Sequence, residues 1–277
     1  MKDVPSPHSL VGRTPRSASR PLGRPRNWLE KRAGQGAGRG RGRPPHSRFR
    51  TLAALVLMAA ALAPAQVAEK ANAHYATPEQ RSAMARGMAD PSRDQQQKPR
   101  ELLASLAIVA GMAVADVGTG PGYMLPFLSE AVGPGGRVLA EDIFPDFLEA
   151  ARRRAGSAHL ANVTLVLGTQ TDPKLPKASL DLEFLLDVYH HFNYPGPMLA
   201  RLRDSLKEDG RLAIVDYYRR RGAMPSNDAL EHIRADQPEV IQEVEASGFH
   251  LVSKHDHIPN SQYVLVFRKA PAASPAR

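Results

Sequence analysis

Ala113-Val-Ala-Asp116-Val-Gly118-Thr-Gly120-Pro-Gly122 is the stretch on which the rest of the chain turns. Its first five residues read as a short buried strand, the next five as a turn made largely of glycine, and a helical pattern takes over near Tyr123. Glycine adopts backbone conformations closed to other residues and lets a ligand come close to the main chain, while a helix start offers N–H groups without intrahelical partners. The stretch therefore reads as a cofactor cradle at the end of a strand.

Outward from the cradle, strands and helices alternate. A helix from Tyr123 to Ala131, a turn at Gly133-Pro-Gly-Gly136 and a strand from Arg137 to Ala140 come next, then a helix from Phe144 to Ala155. Val163 to Leu167 and Leu180 to Leu186 read as strands, Pro197 to Leu206 as a helix, Asp209-Gly210 as a turn and Arg211 to Val215 as a fifth strand. Pro238 to Ala246 reads as a helix, and strands near Phe249 to Lys254 and Gln262 to Phe267 close the chain as an antiparallel hairpin at a sheet edge. Upstream, Pro99 suits the first turn of a helix running through Val109, with Gly111 as its C-terminal cap. Strands alternating with helices of this length predict an α/β fold, a doubly wound and mostly parallel sheet with right-handed crossovers, over residues 99–268. Residues 66–98 are a polar, Ala-rich lead-in with helical patches, placed to lie over that domain, and residues 269–277 are a disordered tail.

The net charge of +9 over 277 residues suggests a nucleic-acid partner until it is located. Residues 1–50 hold 13 Lys/Arg against 2 acids, leaving 24 against 26 in the remainder. The basicity belongs to an Arg/Pro/Gly/Ser-rich tail that cannot bury enough apolar surface to fold, so nucleic-acid binding is not expected of the folded domain. The segment Thr51–Ala63 is apolar, is preceded by Arg48 and Arg50 and is followed by Ala63-Pro-Ala65. It is short for a membrane span, which needs roughly 20 residues, and reads as a secretory signal at 51–65. Export to a periplasm or the exterior is the expectation, with a membrane-tethered or cytoplasmic protein as the alternative and membrane contact only through this segment. The sequence contains no cysteine, which excludes disulfides, thiolate nucleophiles and Cys-ligated zinc. A monomer or homodimer is expected.

The glycine spacing narrows the ligand. A dinucleotide fingerprint is G-x-G-x-x-G, and Tyr123 stands where its third glycine belongs. Here the pattern is Asp-x-Gly-x-Gly-x-Gly, and Asp116 sets a negative charge beside the cradle, disfavouring a pyrophosphate and favouring a cationic amino group. At the end of the second strand, Asp142 is placed to accept both hydroxyls of an unphosphorylated ribose, with Glu141 as the alternative if the register slips by one. The ligand is thus a nucleoside with a charged amino-acid part.

Asp116-Val-Gly-Thr-Gly-Pro-Gly122, Val138-Leu-Ala-Glu-Asp142-Ile, Asp181-Leu-Glu-Phe-Leu-Leu-Asp187-Val-Tyr-His-His-Phe192 and Leu206-Lys-Glu-Asp-Gly210-Arg-Leu together resemble a class I S-adenosylmethionine-dependent methyltransferase, over roughly residues 93–268. Gln97-Lys-Pro99, Gly168-Thr-Gln-Thr-Asp-Pro173 and Tyr263-Val-Leu-Val-Phe267 resemble, more narrowly, small exported bacterial methyltransferase-like proteins. The resemblance implies a seven-stranded Rossmann-like sheet with an antiparallel edge strand, and S-adenosyl-L-methionine as cofactor. It further implies that Gly118, Gly120 and Gly122 admit the methionine part, Asp116 its ammonium, Asp142 the ribose and Ile143 the adenine. The family's acid after the third strand is replaced here by Thr169 and Gln170, with Gln170 or Asp172 as substitutes. A non-catalytic exported protein with this fold, or an NAD(P)-binding oxidoreductase, are the alternatives.

The methyl acceptor, which nothing in the sequence identifies, belongs beyond the fourth strand, where Asp187, Tyr189 and His190 are the catalytic candidates. His191, next to Phe192, reads as a packing residue. Asp216-Tyr217-Tyr218 ends the fifth strand and either faces the acceptor or is solvated. His255-Asp-His257 has strand-like alternation but no further ligands, so it reads as an exposed hairpin loop, and no metal is expected. Arg219-Arg-Arg221 reads as a solvated turn.

Overall fold

The computed structural model describes residues 66–225 and 228–271. The readings made on the basic tail, on the apolar segment at 51–65 and on residues 272–277 lie outside them. Among the described residues no helix is long and apolar enough to cross a membrane.

Four short helical pieces come first: α1 (Glu69–Asn72), a 3-10 turn (Ala73–Tyr75), α2 (Pro78–Met88) and α3 (Arg93–Gln97). Then come α4 (Pro99–Ser105), β1 (Ala113–Val117), α5 (Leu125–Val132), β2 (Arg137–Asp142), α6 (Pro145–Ser157), β3 (Val163–Leu167) and β4 (Leu180–Leu186). A 3-10 turn (Tyr189–His191), α7 (Pro195–Ser205), β5 (Leu206–Tyr217), α8 (Ala229–His232), α9 (Gln237–Ala246), β6 (Phe249–Ile258) and β7 (Gln262–Lys269) complete it. The seven strands form one sheet in the order β3-β2-β1-β4-β5-β7-β6. β1 to β5 pair in parallel, and antiparallel pairing is confined to one edge, where β7 is inserted between β5 and β6.

Alternation along the strands builds two apolar layers, one on each face. Val114, Val138, Leu182, Phe184 and Val264 pack against Leu102 of α4, Leu106 just after it, and Leu125 and Leu128 of α5. Ala115, Leu185, Ile214 and Leu265 turn the other way, toward Leu199 and Leu202 of α7 and Val240 and Val244 of α9. Both faces are covered, as a parallel sheet requires. Because the strand order reverses between β1 and β4, the crevice beyond their carboxyl ends is where ligands collect in such sheets.

Several boundaries differ from those read in the sequence. The helix after Pro99 stops at Ser105 rather than Val109, because Ala107 takes a left-handed φ of 48° and turns the chain back, and Gly111 N donates to Val132 O. Asp209-Gly210 is no turn. β5 begins at Leu206 and absorbs it, with the register irregularity falling opposite, between Leu180 and Leu182 of β4. β6 runs to Ile258, so His255 and His257 are strand residues and not a loop; a ring N–H of His257 donates to Gln97 O at 2.7 Å. Arg219 is likewise tied down, donating to the carbonyls of Ile233 and Leu230.

The lead-in packs on the domain over the carboxyl ends of the strands. Val67 N donates to Asn193 O, Asn72 Nδ2 to His191 O and Arg81 Nε to Asp146.

Candidate active site

The glycine turn after β1 has φ values of 70°, 55° and 81° at Gly118, Gly120 and Gly122, a region costly for side-chain-bearing residues. A Cβ at Gly118 would run into the Val188 side chain, and one at Gly122 would meet Leu125 and Ala151. The turn's N–H groups are not bare, as the sequence reading supposed: Gly118 N donates to Glu141 Oε2 at 3.3 Å and Gly120 N to Asp142 Oδ2 at 2.9 Å. The two acids that end β2 clamp the turn, and their oxygens take up two of the donors a phosphate would need. Asp116 is buried and accepts a 2.6 Å hydrogen bond from the Thr119 hydroxyl.

These groups wall a cavity of about 330 Å³, within the range of small-molecule sites. Its floor carries Asp116, Gly118, Gly120, Glu141, Asp142 and Ile143. Tyr75, Phe144 and Phe147 add an aromatic side, Tyr75 lying parallel to Phe144 with ring centres 6.2 Å apart. Gln170 is in the wall; Thr169 is not, its exposed side chain closing a small turn with Asp172. A second cavity of about 820 Å³ adjoins the first, sharing Tyr75, Met88, Arg93, Asp187 and His191.

Burial raises the carboxyls of Asp116, Asp142 and Asp187 from the ordinary 3.8 to about 6, and Glu141 is raised well above its usual value by burial and by neighbouring Asp142. Because the folded values lie above the unfolded ones, the free protein loses stability as pH rises from about 4 through about 6, where the three aspartates ionise, and the raised Glu141 extends that loss to higher pH. A ligand that needs these groups as anions shows the opposite trend. Affinity for a cationic, ribose-bearing ligand is expected to fall about tenfold or more between pH 7 and pH 5, the loss that one group titrating near 6 already entails. Calorimetric titration across that range checks the sign.

At the far wall, Asp187 stands just beyond β4 with a left-handed φ of 56°. Its two oxygens accept from Gln97 Nε2 and Gln262 Nε2, each at 2.6 Å, and Arg93 lies 3.8 Å away. Of the other expected catalytic residues, Tyr189 is turned away from the cavities: its hydroxyl donates to Glu243 at 2.6 Å in the layer under α9. His190 is buried, and its Nδ1 lies 2.7 Å from Asp216 Oδ1; it lines only the outer cavity. His191, read as a packing residue, lines both cavities. Its Nδ1 is 2.9 Å from Asn72 Oδ1. Asp216 is not solvated but buried behind His190, and Tyr218 donates to Asp256.

His232, from α8, joins His190 and His191, one ligand atom of each lying within 4.8 Å of the others. Burial holds the His191 ring well below its ordinary value and lowers His232 to about 4, with His190 contributing to both. The sequence offered no signal for this trio, for Asn72 or for Gln262, and it singled out Gln97 only as part of a resembling stretch without a role; these residues reach the site from distant segments. Gln97 lies in the polar run before Pro99 and Gln262 at the start of a strand, positions that read as ordinary surface.

Residues 115–214 match the family model described as a methyltransferase domain. The chain is 34% identical to aklanonic acid methyltransferase DauC of Streptomyces sp. (strain C5) over 42% of this chain and 53% of that one. It is 32% identical to nocamycin O-methyltransferase of Saccharothrix syringae over 42% of this chain and 41% of that one. The chain thus spans about half the length or less of these curated relatives. Among solved structures, a S-adenosylmethionine-dependent methyltransferase from Aquifex aeolicus superposes with a TM-score of 0.64 at 25% identity, covering 68% of this chain and 98% of that one. The chain therefore carries a class I S-adenosylmethionine-dependent methyltransferase domain, and S-adenosylmethionine is the cofactor of that class. The cavity fits it: the cradle admits no Cβ at Gly118, Asp116 and Asp142 stand where an ammonium and a ribose would be met, and Glu141 Oε1 is a buried polar atom without a partner among the described residues.

Proposed function

We propose that the protein as a whole transfers the methyl group of S-adenosylmethionine to a small molecule that enters through the outer cavity. One observation carries this reading: a single cavity is lined both by the glycine turn and the acids of β1 and β2 and by Asp187 and His191, and the latter two also line a second, larger cavity beside it. The curated relatives whose names give a small natural product as substrate support a small acceptor. When bound, the cofactor supplies an electrophilic methyl on a sulfonium.

The chain's own residues bind and orient. Asp116 takes the ammonium and Asp142 the ribose. Ile143 and the Phe144 and Tyr75 rings face the base, with Gln170 at its edge. Asp187 is a positioning residue that lines both cavities, its carboxylate fixed in place by two glutamine amides. The acceptor meets His191, with His190 beside it.

Full-length protein incubated with methyl-labelled S-adenosylmethionine and a panel of small phenols, carboxylic acids and amines is expected to label an acceptor. Asp187→Ala is expected to lower kcat about 100-fold with KM for the cofactor little changed, the size of loss that an ångström of misplacement produces. Tight cofactor binding without transfer to any class of acceptor would instead mark a ligand-holding fold without turnover.

A further inference from the structure

We propose that His190, His191 and His232 form a binding site for one divalent transition-metal ion of the zinc or cobalt(II) kind, facing the outer cavity. The trio is set by tertiary structure: two members sit on the turn after β4, and the third closes α8. Their ring centres lie 4.1, 5.0 and 5.4 Å apart.

The second ring nitrogens decide the argument. The Asp216 carboxylate can only accept, so the 2.7 Å contact requires His190 to carry its proton on Nδ1. Asn72 Nδ2 donates to His191 O, which turns Asn72 Oδ1 toward His191 Nδ1 and requires a proton there as well. Both Nε2 atoms are thereby left as lone pairs. Among the described residues no hydrogen bond satisfies either Nε2 or the ring nitrogens of His232. A carboxylate and an amide oxygen fixing imidazole tautomers from behind is the outer arrangement that metal-ligating histidines use. Asp216 has a second hold as well, since it accepts from His190 N at 3.0 Å, which fixes the ring's place and brings a carboxylate beside the cation.

The donor set selects the ion. Three imidazoles with no oxygen ligand suit zinc, cobalt, nickel or copper and not magnesium or calcium. Nitrogens bound at about 2.1 Å in a tetrahedron lie about 3.4 Å apart, so a set now within 4.8 Å closes by small side-chain rotations. His232 is the less buried partner of His190, at the end of a four-residue helix, and no hydrogen bond among the described residues holds its ring in place. Three protein ligands leave the fourth position to the cavity from which the acceptor arrives. Metal binding stands apart from methyl transfer; only the use of that open position to hold an acceptor oxygen rests on the proposed function.

The test uses untagged, metal-free, full-length protein without S-adenosylmethionine, titrated with zinc by calorimetry and with cobalt(II) by visible absorption. One equivalent is expected, with the intense d–d bands of a tetrahedral nitrogen site. His232→Ala is expected to weaken binding at least 100-fold, and Asp216→Asn 10–100-fold, the range for outer partners of ligating histidines. His255→Ala, on the exposed face of β6, should change nothing. Circular dichroism of each variant monitors folding, and His232→Ala decides the outcome if Asp216→Asn fails to fold. Absence of stoichiometric binding, or binding indifferent to His232→Ala, overturns the site. Failure of methyl transfer with metal binding intact would leave the site standing and remove only its link to the acceptor.

Discussion

Asp142→Ala is expected to weaken S-adenosylmethionine binding about 100-fold. The residue ends β2, parallel to β1, so its carboxylate stands at the rim of the glycine turn. Two ribose hydroxyls donating to a carboxylate are charge-assisted bonds, about 1.5–3 kcal/mol each before water replaces part of the loss. A net of about 3 kcal/mol is about 100-fold in Kd. The substitution also leaves Gly120 N and Phe144 N without the acceptors they now have at 2.9 Å, which loosens the turn and adds to the loss. The fold itself is expected to survive, because burial already makes this carboxylate costly at neutral pH, as its value near 6 records. Isothermal titration of the variant beside the parent measures the ratio; an unchanged Kd refutes the ribose role.

Gly118→Ala is expected to lower stability by about 2–5 kcal/mol and to abolish cofactor binding. A residue with a Cβ held at a φ of 70° costs about 1–2 kcal/mol. The new methyl also collides with Val188, and overpacking of this kind costs about 1–3 kcal/mol. For a domain of this size each kcal/mol lowers Tm by about 2–4 °C, so a drop of roughly 4–20 °C is expected by calorimetry. The double variant Gly118→Ala/Val188→Ala separates the two causes. Removing the Val188 branches should restore the collision's share and leave the backbone's share. Full recovery would mean that the left-handed φ carries no cost.

What the sequence could show was what neighbours in the chain decide. The glycine turn, the acid two positions before it and the acids that end β2 all follow from a strand running into a turn, and the two-residue period of the strands orders the sheet. Element ends were less legible where distant contacts override local signals. Asp209-Gly210 has turn chemistry, yet pairing with β4 draws it into β5. The acceptor side was hardest to read. Tyr189 and His191 exchanged roles because two positions' difference on a 3-10 turn sends a side chain under α9 or into the cavity, and that depends on what α9 and the lead-in bring. Gln97, Gln262 and His232 have no pattern of their own and become site residues only when the chain closes over the sheet.

The central claim is that the cavity beside Gly118 and Asp142 takes a cationic sulfur nucleoside and not a dinucleotide. Equilibrium titration of the full-length protein with S-adenosylmethionine, S-adenosylhomocysteine and NAD measures this directly. Saturable 1:1 binding of both sulfur nucleosides in the micromolar range, with none of NAD, is the predicted result; binding of NAD with no response to either sulfur nucleoside would contradict it.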